Sequence, residues 1–130
     1  MAEIVVDESR HRLVLVTYPG TYSDDEFMQD LGRLERILAR RVRIVTVFDA
    51  TRMERPTAAR RKQQAEWLSR WEPSLMQFTM LAVFVVPTPL VRGALTAVFW
   101  WSPPKFPHVL VATLDEAMRL AEKALAGESA

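Results

Sequence analysis

The chain has 130 residues, 49% hydrophobic and 25% charged, and its 17 basic and 16 acidic side chains leave a net charge of +1. That balance fits one globular domain rather than a disordered chain, and it lacks the basic excess of a typical nucleic-acid binder. With no cysteine at all, disulfides, thiolate zinc sites and cysteine nucleophiles are excluded.

The opening residues show no basic region followed by an apolar stretch. The most apolar run, Met80 to Val86, is far short of the roughly 20 residues that span a bilayer. The expectation is a soluble, cytoplasmic protein, with one domain over residues 1–126 and a frayed tail at 127–130.

Ile4 to Val6 and Leu13 to Tyr18 are β-branched, apolar runs separated by the polar stretch Asp7 to Arg12, which predicts a β-hairpin. Pro19-Gly20 ends its second strand. Ser23-Asp24-Asp25-Glu26 reads as a capping box, the serine accepting from the backbone and the glutamate reaching back. Phe27, Leu31, Leu34, Ile37 and Leu38 then recur at helical spacing. Val42 to Phe48, closed by Asp49, lacks polar alternation and predicts a strand covered on both faces.

Pro56-Thr57 opens a second helix whose inner face is expected from Ala58, Ala65, Leu68 and Trp67 or Trp71. Pro73 cannot donate to the carbonyl of Ser69, which predicts a kink or a break and restart. Met80 to Val86 is the most apolar strand and the expected sheet centre. Thr88-Pro89 reads as a cap and first helical position for a third helix, Leu90 to Trp101, stopped by Ser102-Pro103-Pro104. Val109 to Val111 is a short last strand. Thr113-Leu114-Asp115-Glu116 is a second capping box, and Leu114, Ala117, Met118, Ala121 and Leu125 line the final helix. The expected fold is α/β, with a mixed, mostly parallel five-stranded sheet and four helices in the order β-β-α-β-α-β-α-β-α.

This order resembles the STAS superfamily, and within it the SpoIIAA-like bacterial branch related to the lipid-binding Sec14 fold. The residues that carry the resemblance are Tyr18-Pro19-Gly20, Asp49 at the end of its strand, the Pro87 to Arg92 turn and the Thr113 to Leu120 stretch. The resemblance implies a non-enzymatic domain that binds protein partners or, in some members, small molecules or lipids. It also implies a phosphorylated serine in an Asp-Ser-Ser-Gly motif opening the second helix. The matching stretch here is Glu54-Arg55-Pro56-Thr57. Its hydroxyl, Thr57, is displaced by about one position and follows a stiffening proline. Asp49, Thr51 and Thr57 thus form a candidate regulatory loop.

Catalytic and cofactor motifs are missing. The two histidines, His11 and His108, lack metal-ligand spacing. No serine sits in a nucleophile elbow, and the four glycines are scattered rather than gathered in a phosphate-binding loop. No cofactor is therefore expected. Asp49 with Asp24 and Asp25 would suit a receiver-like magnesium site, but each has a simpler role as a helix N-terminal charge or a turn cap. Arg52, Arg55, Arg60 and Arg61 cluster where they oppose the second helix's dipole. They make a solvated face or an anion patch.

The third helix carries more apolar residues than one sheet face needs. Leu90, Ala94, Val98 and Trp101 can fill the inner stripe, which leaves Leu95, Phe99 and Trp100 to be covered by something else. The leading expectation is a regulatory or scaffold module that binds a protein partner, or itself as a homodimer, through Leu95, Phe99, Trp100 and Arg92. The alternative is a binder of a small ligand, a lipid or a membrane surface, with a pocket lined by Phe84, Leu95, Phe99 and Trp100. Nucleic acid is disfavoured.

Overall fold

The structure, a computed structural model, describes residues 3–53, 57–90, 92, 93, 96 and 104–129. Five strands form one sheet in sequential order: β1 (Val5–Arg10), β2 (Leu13–Thr17), β3 (Ile44–Asp49), β4 (Thr79–Val85) and β5 (His108–Val111). β1 pairs antiparallel with β2, and every later pairing is parallel. Three helices complete the described residues: α1 (Asp24–Ala39), α2 (Ala58–Phe78) and α3 (Leu114–Ser129).

The alternation along β3 and β4 sets the two faces of the sheet. Val45, Val47, Val83 and Val85 point to one side at 0% exposure and pack with Ala117 and Ala121 of α3. Ile44 points the other way, into a cluster with Val14 and Val16 of β2, Phe27, Leu31, Leu34, Ile37 and Leu38 of α1, and Trp67 and Phe78 of α2. Burying one such side chain contributes roughly 1.5–3 kcal/mol. β3 is the middle strand, with β4 beside it rather than at the centre as expected.

The hairpin is longer than its apolar residues suggest. β1 continues through Asp7, Glu8 and Ser9 to Arg10, with a register irregularity between Asp7 and Arg10, and the turn narrows to His11-Arg12. Arg12 adopts φ 63°, a left-handed conformation uncommon outside glycine. It is held there by Nε donation to the Arg43 carbonyl at 2.9 Å and by its own carbonyl, which accepts from Val45 N at 3.0 Å. A charged, irregular edge strand resists pairing with another sheet.

α1 begins as its capping sequence predicts: Ser23 Oγ accepts from Glu26 N at 3.0 Å. The reciprocal half is different. Glu26 Oε1 accepts instead from Ile4 N at 3.1 Å and from Arg33 Nη2 at 2.9 Å, while Arg33 Nη1 donates to the Ile4 carbonyl at 2.8 Å. The glutamate and Arg33 thus fasten the peptide just ahead of β1 to α1.

α2 runs unbroken across Pro73, contrary to the expected break. Pro73 and Ser69 are both exposed, so the carbonyl freed by the missing donor can be hydrated. Its inner face consists of Trp67, Leu68, Trp71, Leu75 and Phe78, whereas Ala58 and Ala65 are exposed, correcting their expected burial. α3 starts on its capping threonine, with Glu116 N donating to Thr113 Oγ1 at 3.2 Å, and stays helical past the expected end to Ser129.

Of the expected third helix, helical geometry is present at Pro89, Leu90, Arg92, Gly93 and Thr96, with Arg92 N donating to the Thr88 carbonyl at 2.9 Å. The other residues up to Trp101 lie outside those described, so three complete helices stand where four were expected. Leu90, assigned above to the inner stripe, is 81% exposed. Ser23→Ala removes the α1 cap and is expected to cost about 1 kcal/mol, measured as a lower urea midpoint at unchanged denaturant slope.

Candidate functional site at the carboxyl ends of the strands

Parallel strands joined by helical crossovers deliver their connecting loops to one end of the sheet, where open α/β folds place their ligands. Here the loop after β2, Tyr18 to Tyr22, meets the loop after β3, Asp49 to Met53. Tyr18 N donates to the Asp49 carbonyl at 3.1 Å, and a Cβ on Gly20 would lie 3.4 Å from the Arg52 carbonyl. Ala50 N donates to the Val85 carbonyl at 3.1 Å, tying the second loop to β4.

Asp49 closes a turn. Its Oδ1 accepts from Thr51 N at 3.1 Å, and the Thr51 hydroxyl donates to the same oxygen. Asp24 is engaged elsewhere, with Arg60, and Asp25 is exposed. Among the described residues, no group of three or more carboxylates or histidines is placed to hold a metal ion. Thr57 is the N-cap of α2, its Oγ1 accepting from Arg60 N at 3.2 Å. The three residues of the candidate regulatory loop thus have local structural roles.

The basic set divides. Arg60 donates to the Tyr22 carbonyl at 2.6 Å and to Asp24 Oδ1 at 2.9 Å, with its guanidinium 4.6 Å from the centre of the Tyr22 ring. It is a structural tie between the first loop, α1 and α2. Arg52 and Arg61 are exposed, and Arg55 lies outside the described residues. α2 has no acidic residue in its first turn, so Asp24 of α1 supplies the negative charge its N-terminus lacks.

Arg92 is half-buried, and its carbonyl accepts from the Thr96 hydroxyl at 2.8 Å. Leu95, Phe99 and Trp100 lie outside the described residues. Phe84, the remaining wall of the expected ligand pocket, stacks on Phe48 with ring centres 5.0 Å apart. Two surface depressions, of about 630 and 80 Å³, lie along the outer side of α1 and between β1 and α3, away from these residues. His11 is exposed in the hairpin turn, and His108 Nδ1 lies 3.0 Å from the Phe106 carbonyl.

The structure also buries a carboxyl group that periodicity did not single out. Asp30, on the inner side of α1, is 1% exposed. Tyr18 donates its phenol to Asp30 Oδ2 at 3.4 Å, and Oδ1 has no partner. Burial pushes the Asp30 carboxyl up to about 6, against the opposing pull of Arg33 and the Tyr18 phenol. Burial, reinforced by the Asp30 charge, likewise raises the Tyr18 phenol well above its ordinary range. Burial also raises Tyr22, with Arg60 opposing. The signal available in the sequence was an acid set between Phe27, Leu31 and Leu34 on one helical face.

A crystal structure of an uncharacterized DUF3478-family protein from Shewanella loihica PV-4, described as having a SpoIIAA-like fold, superposes on this chain with a TM-score of 0.68. The match covers 91% of each chain at 13% sequence identity. The fold is SpoIIAA-like. No family model and no curated protein matches the sequence. The SpoIIAA-like assignment therefore rests on the superposition.

No helix among the described residues is long and apolar enough to cross a membrane. Within the SpoIIAA-like frame, Arg60 ties the loops at the strand ends together. Arg60→Ala should destabilise the domain by about 1–2 kcal/mol, chiefly through the lost bond to the Tyr22 carbonyl and the lost ring contact; the pair with exposed Asp24 adds little. Arg52→Ala should stay within about 0.5 kcal/mol of the parent in the same urea titration.

Proposed function

We propose that this chain is a non-enzymatic regulatory or scaffold module that docks a protein partner, a second copy of itself included, through the apolar segment between β4 and β5. The observation that carries this reading is Leu90, 81% exposed where helical geometry begins after the Thr88-Pro89 turn. A large aliphatic side chain facing water gains from being covered. It opens a segment whose sequence adds the apolar residues Leu95, Phe99, Trp100 and Trp101. Arg92, two residues further on, adds a cation to the same segment.

The SpoIIAA-like fold supports a binding role only at the level of architecture, since one fold hosts many functions. The committed turn of Asp49 and Thr51 and the tied Arg60 favour the apolar segment over the loop after β3 as the docking surface.

Leu90→Asp is expected to leave the thermal midpoint within a few degrees of the parent while abolishing self-association in analytical ultracentrifugation, with Leu95→Asp and Phe99→Asp as companions. A parent protein that stays monomeric at high concentration would sink the homodimer form of the reading. Native mass spectrometry of the purified protein separates the remaining cases: a co-purifying lipid or small molecule would replace the module reading with a ligand-binding one.

A further inference from the structure

The buried carboxyl group on α1 lies at a junction that the proposed docking segment does not involve. Glu26, Asp30 and Arg33 fall four and three residues apart, on one stripe of the helix. Arg33 is already committed to Glu26 and to the Ile4 carbonyl. Two carboxylates on that stripe thus share one cation, and it is bound by Glu26. Asp30 has the Tyr18 phenol at 3.4 Å on one oxygen and nothing on the other. An ionised carboxylate at 1% exposure with a single long hydrogen bond is poorly solvated, whereas a neutral carboxyl leaves a balanced Glu26–Arg33 pair.

We infer that Asp30 is a proton-operated latch: when neutral it is buried against the Tyr18–Tyr22 loop without penalty, and when ionised the lost hydration, which the single long bond from Tyr18 offsets only in part, loosens that docking. The groups facing it are defined by each packed element. From α1 these are Glu26 and Arg33. The end of β2 contributes the Tyr18 phenol, with Tyr22 behind it at a ring separation of 6.0 Å. β1 presents the Ile4 peptide groups, bound to Glu26 and Arg33. α2 contributes Arg60, held over Tyr22 and paired with Asp24. Because Tyr18 N also bonds the Asp49 carbonyl, loosening the loop would reach the carboxyl ends of β2 and β3.

The direction with pH follows from linkage. The folded-state value of about 6 lies above the ordinary 3.8, so the stabilisation from protonated Asp30 is complete below the ordinary value. It is lost as pH rises through about 6. Between pH 5 and 7.5 the whole shift corresponds to about a tenfold change, which sets the upper bound on the loss of protection in the docked loop.

The test is a carboxyl-carbon NMR titration of Asp30 together with hydrogen exchange of residues 18–22, corrected for the intrinsic pH dependence of exchange. The expected titration midpoint is about 6, and a midpoint at or below about 5 overturns the latch. Protection in the parent is expected to fall by up to about tenfold from pH 5 to 7.5 and to stay level in Asp30→Asn; equal falls in both overturn it. If Asp30→Asn does not fold, Tyr18→Phe keeps the acid and removes its donor. That variant must raise the titration midpoint, and an unmoved midpoint overturns the part assigned to Tyr18.

Discussion

Parallel strands buried on both faces constrain everything else in this molecule. β3 and β4 lie inside the sheet, and their valines leave no polar atom to meet water. Such strands must be covered from both sides, since their backbone bonds are satisfied in the sheet while their side chains are apolar above and below. α1 and α2 cover one side and α3 covers the other. The crossovers needed to return each parallel strand carry the loops after β2 and β3 to the same end, where Tyr18, Asp49 and Ala50 are hydrogen-bonded into one edge.

The polar groups nearest that edge serve mainly to hold it together. Arg60 binds the Tyr22 carbonyl and ring and the Asp24 carboxylate, all far from it in sequence. Glu26 and Arg33 clasp the peptide groups of Ile4, just ahead of the edge strand. A three-way tie of this kind uses up the charges that would otherwise greet an anion or a metal. The cluster of arginines in the sequence is thereby split into a structural member and exposed ones.

Asp30 stands apart from these ties because it is buried without a full set of partners. A carboxyl in that position costs stability when ionised and little when neutral. Its helical stripe places it between a carboxylate and a guanidinium already bound to each other. Such an arrangement links the charge of one side chain to the docking of a neighbouring loop, without any ligand.

Local signals in the sequence determined much of the architecture. Ser23 and Thr113 cap helices, the apolar periodicity from Phe27 to Leu38 and from Leu114 to Leu125 sets which side of each helix is buried, and the valine-rich runs become strands. These follow because caps and periodicity depend on residues within a turn or two of one another. Tertiary structure alone decided that Glu26 would serve Ile4 rather than its own cap, that α2 would continue through Pro73, that Arg60 would be tied down, that Leu90 would face water and that Asp30 would be sealed inside. Each of those outcomes depends on what a distant segment brings alongside, and periodicity along one helix carries no record of which partner the sheet order will deliver.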